Sequence, residues 1–394
     1  MQTTPNSMRK HIAIFGNTNV GKSTLFNLLL GQETAIVSDV SGTTTDPVSK
    51  PMELIPYGPI VLIDTAGLGD SSELGGERMK KTKQILSRTD LILQVTDINA
   101  ECMPQKLYSG TPTIFVFTKC DIAYQQTVEE TRRKYPDAIF LGDKKTETAE
   151  LERLRQAMIR ELEKQERDDD TLLGNLLPRG SRVVLVIPID SEAPKGRLIL
   201  PQVQLLRDCL DYEMIPVCTR VETLGETFAA VDRVDLVVTD SQAFREVEPL
   251  VPPEIPLTSF SMLLANQKGN FAQLLAGAQK IANLRDGAKI LMLEGCTHNS
   301  SHEDIGRVKI PTALRKKTGK DLEFVHVTGY DFPDNAEEFD LAIQCGMCMI
   351  NRREVQSRLQ VFEEKGIPIS NYGVVLAYLS GILERASQIF RGRS

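Results

Sequence analysis

The chain has 394 residues, too many for one ordinary core, and its 41% hydrophobic and 25% charged content is that of a soluble globular protein of two or three domains. A formal net charge of −7 argues against a surface that wraps a phosphate backbone, so no nucleic-acid partner is expected. The polar stretch Met1–Lys10 is no signal peptide and no apolar run reaches membrane-spanning length, which predicts a cytoplasmic protein with no membrane contact.

In chain order, His11–Phe15 reads as a short apolar strand, followed by a Gly-rich loop and a helix over Lys22–Leu30. Ile60–Ile63, Leu91–Val95 and Thr113–Phe117 read as buried strands, and Glu150–Glu163 as an amphipathic closing helix. Strands alternating with helices predict a mostly parallel sheet. The charged stretch 164–171 reads as a linker. A second series follows: strand Arg182–Ile189, helix Gln202–Leu210, strand Ile215–Cys218, a helix near Thr223–Val231 and strand Leu236–Thr239. Beyond the Pro-rich Glu248–Pro256 comes a third. It has a helix over Ala272–Asn283, strand Lys289–Leu293, a helix near Pro311–Lys317 and strands Phe324–Val327 and Asp340–Ile343. Helices over Arg353–Lys365 and Asn371–Ile389 close the chain. The expected fold class is α/β, in three consecutive domains at 1–168, 174–260 and 262–394, each with a mostly parallel sheet flanked by helices.

The first domain carries phosphate chemistry. Gly16-Asn17-Thr18-Asn19-Val20-Gly21-Lys22-Ser23 fits G-x-x-x-x-G-K-[ST] and lies between a strand and a helix, the context a P-loop needs. Its backbone N–H groups and the helix N-terminus, with Thr24 in the first turn, suit the phosphates of GTP or GDP. Lys22 is expected on the β and γ phosphates and Ser23 on Mg²⁺. Asp64-Thr65-Ala66-Gly67 ends a strand, so Asp64 is placed to hold Mg²⁺ through water and Gly67 to offer an N–H to the γ-phosphate. Thr118-Lys119-Cys120-Asp121 resembles the N-K-x-D guanine box with Thr for Asn. Asp121 can accept from guanine N1–H and N2–H₂, which adenine does not offer. Gly142-Asp143-Lys144 stands where such proteins place a last base-contacting loop.

Gly42-Thr43-Thr44-Thr45-Asp46 resembles a switch I loop of TrmE-like and Era-like GTPases, with Thr44 closing on Mg²⁺ and γ-phosphate. Leu68 occupies the place of the water-orienting Gln of Ras-like proteins, so slow intrinsic hydrolysis is expected. Asn19 matches the P-loop Asn that binds K⁺ in TrmE-like proteins, which implies potassium-stimulated GTPase activity.

An odd count of seven cysteines argues against a disulfide framework. Cys296-Thr297-His298 follows one strand and Cys345-Gly346-Met347-Cys348 another. If those strands are neighbours, three thiols converge on one rim of the sheet. Three thiolates suit a 4Fe-4S cluster with one iron left over, for which His298 is a labile fourth ligand and Asn299, His302, a carboxylate or water are alternatives. Spacing alone also admits zinc, a redox dithiol at Cys345 and Cys348, or unrelated cysteines. Cys102, Cys120, Cys209 and Cys218 read as packing residues, His11 and His326 as structural, and Met262, Met292 and Met349 as core filling.

The GTPase motifs, the three cysteines, Gly196-Arg197-Leu198-Ile199-Leu200-Pro201-Gln202 and Pro368-Ile369-Ser370-Asn371-Tyr372-Gly373-Val374 together resemble HydF, the family of FeFe-hydrogenase maturation GTPases, over nearly the whole chain. The resemblance implies a GTPase domain, a dimerisation domain and a cluster domain, with Cys296, Cys345 and Cys348 ligating 4Fe-4S. It implies a homodimeric scaffold that receives a di-iron precursor made with two radical-SAM maturases and delivers it to the FeFe-hydrogenase apo-protein. Family members often carry His before C-G-x-C, where this chain has Gln344. The alternatives are a tRNA-modification-type GTPase with a zinc site and a redox-gated GTPase switch.

Overall fold

The structure is a computed structural model that describes residues 4–31, 48–65, 75–100, 104, 110–165, 171–189, 195–295, 305–329, 333 and 335–391, with backbone alone for 75–80. It divides into two compact units, Met1–Glu166 and Arg167–Ser394.

The first unit runs β1 (Lys10–Phe15), α1 (Lys22–Leu30), β2 (Val48–Leu54), β3 (Gly58–Asp64), α2 (Gly75–Ser87), β4 (Leu91–Asp97), β5 (Thr113–Thr118), α3 (Gln125–Lys134), β6 (Ile139–Phe140) and α4 (Glu147–Glu163). Its strand order is β2-β3-β1-β4-β5-β6, parallel throughout except for β2 against β3. Side chains alternate across β1. Ile12 and Ile14 pack with Leu25 and Leu29 of α1 and Leu154, Met158 and Leu162 of α4, while Ala13 and Phe15 meet Ile63, Ile85 and Ile92. Covering both faces explains why the central strands are continuous apolar runs. Each fully buried Leu or Ile contributes about 1.5–3 kcal/mol. The parallel strands bring the loop after β1, Asp64, and Thr118–Asp121 to one edge of the sheet.

His11 is structural, as its strand position suggested. It is 4% exposed, its Nε2 lies 3.1 Å from the Asn6 carbonyl, and among the described residues no partner meets its Nδ1. Burial lowers its pKa to about 4. A folded pKa below the unfolded value of 6.5 means the neutral ring is favoured in the native state, so this stability is present above pH 6.5 and lost as pH falls towards 4. The loss amounts to about 3 kcal/mol. Denaturant melts of the whole chain between pH 7 and 4 are expected to show that loss in the first unit's transition, and His11→Gln to remove most of it. Parallel pH profiles for the two proteins would exclude His11 as the cause.

In the second unit, β7 (Arg182–Val186), α5 (Leu200–Asp211), β8 (Ile215–Thr219), α6 (Leu224–Ala230), β9 (Leu236–Thr239), α7 (Phe244–Val247) and β10 (Leu257–Ser259) build a four-stranded parallel sheet of order β10-β9-β7-β8. Two helices follow, α8 (Phe260–Lys268) and α9 (Phe271–Gln279). Then β11 (Ala288–Glu294), α10 (Ile310–Thr318), β12 (Leu322–Thr328), β13 (Leu341–Gln344), α11 (Arg352–Glu364), β14 (Ile369–Asn371), α12 (Tyr372–Ser380) and α13 (Leu383–Ser387) form a second parallel sheet of order β12-β11-β13-β14. Helix α8 joins the two layers. Its Phe260, Leu263 and Leu264 belong to a core with β7 and β9, and its Met262 and Ala265 to the core around β11 and β13.

Two motif segments are junctions. Gln202 at the start of α5 accepts the Ile199 N–H at 3.0 Å and donates to Asp240 Oδ2 at 3.1 Å, beyond β9. Asn371 caps α12 by accepting the Val374 N–H at 2.9 Å and donates to the Ser261 carbonyl at 3.3 Å, tying β14 to α8. The expected single helix over Asn371–Ile389 is broken: Gly381, at φ 81°, ends α12 in the left-handed conformation. Met262 and Met292 are fully buried, whereas Met349 is 49% exposed and fills no core. Cys209 is buried, but Cys218 is exposed because β8 is an edge strand.

Candidate functional site

The first unit's site begins where β1 meets Val95 of β4. A Cβ on Gly16 would collide with the Val95 carbonyl oxygen, so only glycine lets the loop leave the sheet here. Asn19 and Gly21 take left-handed backbone conformations, at φ 60° and 91°, and curl the loop. Asn17, Thr18 and Asn19 are exposed at its rim, Val20 is buried beneath it, and Thr24 is exposed in the first turn of α1.

Lys22 folds back over this loop, 8% exposed, and donates to the Asn17 carbonyl at 2.7 Å. Burial lowers its pKa, against the pull of the Asp64 carboxylate. Ser23 Oγ donates to Asp64 Oδ2 at 2.8 Å, and Asp64 Oδ1 is buried with no partner among the described residues. Burial raises the Asp64 pKa, opposed by Ser23 and then Lys22. A hydroxyl beside a carboxylate with unspent lone pairs is a hard oxygen donor set that fits Mg²⁺.

Thr118, expected from the sequence in the guanine box, also has a structural tie. It stands at the guanine-box Asn position, and its Oγ1 donates to the Val20 carbonyl at 2.7 Å. That bond ties the box to the P-loop. Lys119, at φ 59°, pairs with Asp97 at 2.8 Å. The Cys120 N–H donates to the Leu141 carbonyl at 3.1 Å, and Asp121 is exposed at the edge. Gly142 has φ 122°, and a Cβ there would stand 2.7 Å from Asp121 Oδ1. The loop 142–144 therefore packs directly on the box. Thr44, Gly67 and Leu68 lie outside the described residues.

In the second unit, β11 and β13 are parallel neighbours with Leu293 opposite Gln344, so both chains leave the sheet at the same edge. The Cys345 N–H donates to the Leu293 carbonyl at 2.8 Å. Cys345 Sγ accepts from the N–H groups of Gly295 at 3.2 Å and Met347 at 3.4 Å. Met347, at φ 52°, turns the loop so that Cys348 follows. Gly295 immediately precedes Cys296 in the sequence. Cys296, His298, Asn299 and His302 lie outside the described residues, and among those described no group of three His, Cys, Asp or Glu is arranged to hold a metal ion.

Burial pushes the Cys345 thiol up, against the two N–H groups that face it, and pushes Cys348 up to about 11 with Cys345 adding to the rise. Such thiols are protonated at neutral pH until a metal displaces the proton. Soft sulfur donors already receiving N–H bonds are a set that fits an iron–sulfur cluster. Lys268 of α8, which sequence reasoning passed over, is buried beneath this loop; burial lowers its pKa to about 8 while the two thiols oppose the shift. Gln344 is 2% exposed and its Oε1 has no hydrogen-bond partner among the described residues.

Its sheet order and nucleotide edge place the first unit among P-loop GTPase domains, and residues 11–119 match the family described as 50S ribosome-binding GTPase. The second unit is more telling: residues 172–269 match the hydrogen maturase F dimerization domain and residues 272–389 its tetramerization domain. The chain belongs to the hydrogen maturase F family, HydF.

Relatives extend the likeness of the GTPase part. The tRNA modification GTPase MnmE of Thermoanaerobacter sp. is 36% identical over 152 residues, 37% of this chain and 33% of that protein. MnmE of Chromobacterium violaceum is 37% identical over 121 residues, 29% and 26% of the two chains. GTPase Der of Helicobacter hepaticus is 32% identical over 155 residues, 36% and 32%. The chain thus spans between about a quarter and a third of the length of these curated relatives.

Proposed function

We propose that this chain is a GTP-hydrolysing scaffold of FeFe-hydrogenase maturation. It holds a 4Fe-4S cluster on Cys296, Cys345 and Cys348, receives a di-iron precursor from radical-SAM maturases and hands it to the apo-hydrogenase. The observation that carries this reading is the Gly295 N–H on Cys345 Sγ at the shared edge of β11 and β13, in a chain of the HydF family. His298 is the proposed labile fourth ligand.

In the first unit Lys22, Ser23, Thr44 and Asp64 serve the phosphates and Mg²⁺, Gly67 the γ-phosphate, Asp121 the guanine and Asn19 a stimulating K⁺. The absence of a water-orienting Gln at Leu68 makes the intrinsic rate slow. The second unit comprises a dimerisation domain and a cluster domain meeting at α8, and the chain self-associates through them, as the names of the matched family models suggest. No described helix is long and apolar enough to cross a membrane.

Oxygen-free reconstitution with iron and sulfide tests the reading. Expected are about four irons per chain, broad visible absorption and an EPR signal on reduction. A colourless zinc protein, or one that takes up no metal, would overturn the cluster assignment.

A further inference from the structure

Lys268 closes α8 with 5% of its surface exposed, directly under the Cys345–Cys348 loop. Its ammonium donates to the carbonyls of Ile350 at 2.7 Å, Met347 at 2.9 Å and Cys348 at 3.4 Å. No carboxylate pairs with it among the described residues. Carbonyl oxygens can solvate a cation but do not neutralise it, and a buried charge without a counter-charge is strongly disfavoured. The C-terminal end of α8 offsets only part of that, through its partial negative charge. The three carbonyls match the three donors of the ammonium, but they leave its charge unbalanced. The loop whose Met347 and Cys348 carbonyls it holds is the one that bears the proposed sulfur ligands Cys345 and Cys348.

Resting on the cluster reading above, we infer that Lys268 is the built-in counter-charge of the iron–sulfur site. Three thiolates and a 4Fe-4S core are together net negative, and one-electron reduction adds a further negative charge. A fixed cation beneath the loop therefore favours the reduced form and raises the reduction potential. By holding three carbonyls inward, Lys268 also leaves the loop's N–H groups free to face the sulfurs, as the Met347 N–H does. It is a positioning residue and does not ligate iron.

The test compares reconstituted wild type, Lys268→Met and Lys268→Arg in oxygen-free titrations with dithionite, the reduced cluster being followed by EPR and iron being counted. Lys268→Met is expected to load iron and to show at least a tenfold fall in the reduced-to-oxidised ratio at a fixed potential, a drop of about 59 mV for one electron. Lys268→Arg is expected to stay close to wild type. A Lys268→Met cluster with full iron and the wild-type potential overturns the inference. If Lys268→Met fails to load, Lys268→Arg decides: the wild-type potential supports a charge role. Failure of both variants makes the residue a brace and also overturns the inference. Wild type that binds no iron would defeat the cluster reading itself, a separate result visible before any variant is made.

Discussion

Asp121→Asn is expected to lower affinity for GTP and GDP by about a thousandfold and to make xanthine nucleotides the preferred ligands. Guanine presents two donors on one edge, N1–H and the N2 amino group, and a carboxylate accepts both. An amide offers one acceptor and one donor, so its NH₂ would face the guanine amino group, whereas xanthine has a carbonyl there. The structure gives this carboxylate a defined seat: Thr118 anchors the box to Val20, the Cys120 N–H is held by Leu141, and Gly142 packs against Asp121 Oδ1. Titration of fluorescently labelled GTP and XTP into both proteins reads the change. Unaltered GTP affinity in Asp121→Asn, or equal competition by ATP in wild type, would remove Asp121 from base recognition. Gly142→Ala provides a graded control, because its new Cβ would crowd the same oxygen at a φ that disfavours alanine.

The nucleotide edge was legible in the sequence because its chemistry is local. Lys22, Ser23, Asp64 and Asp121 each sit beside an apolar strand, and parallel pairing then carries all four to one rim. Elements defined by tertiary context were not legible. β2 reads as a polar, proline-bearing stretch with no alternation. It is a strand only because β3 offers an edge to pair with, and edges tolerate the missing N–H of Pro51. α8 is apolar on more than one side because it serves two cores at once, so its sequence lacks the amphipathic contrast that marks a surface helix. Lys268 hid for a related reason: at the end of a helix a lysine looks like ordinary dipole compensation, and only burial against the carbonyls of the Cys345–Cys348 loop distinguishes it. The exposure of Cys218 likewise follows from the strand order, which puts β8 at the rim of its sheet.

Replacing Cys345 by Ser should cost the protein nearly all of its reconstituted iron. A serine oxygen is a hard donor, sits closer to its own Cβ than sulfur does, and binds iron in competition with water. At this position it would also be left with N–H donors from Gly295 and Met347 set for a larger acceptor, at 3.2 and 3.4 Å from the sulfur they now meet. Cys348→Ser should behave alike, since a cluster gripped at one fewer corner loses iron to chelators and air. Cys218→Ser, far along the chain on an exposed strand edge, should retain the full complement. Cys296→Ser carries the decision between chemistries. A dithiol switch would keep its reversible Cys345–Cys348 oxidation without Cys296, whereas a three-thiolate cluster would not assemble. Iron and sulfide counted per chain, with visible absorption on the same samples, distinguish these outcomes. Full iron in Cys345→Ser would mean that the loop between β13 and α11 is not where the cluster is held.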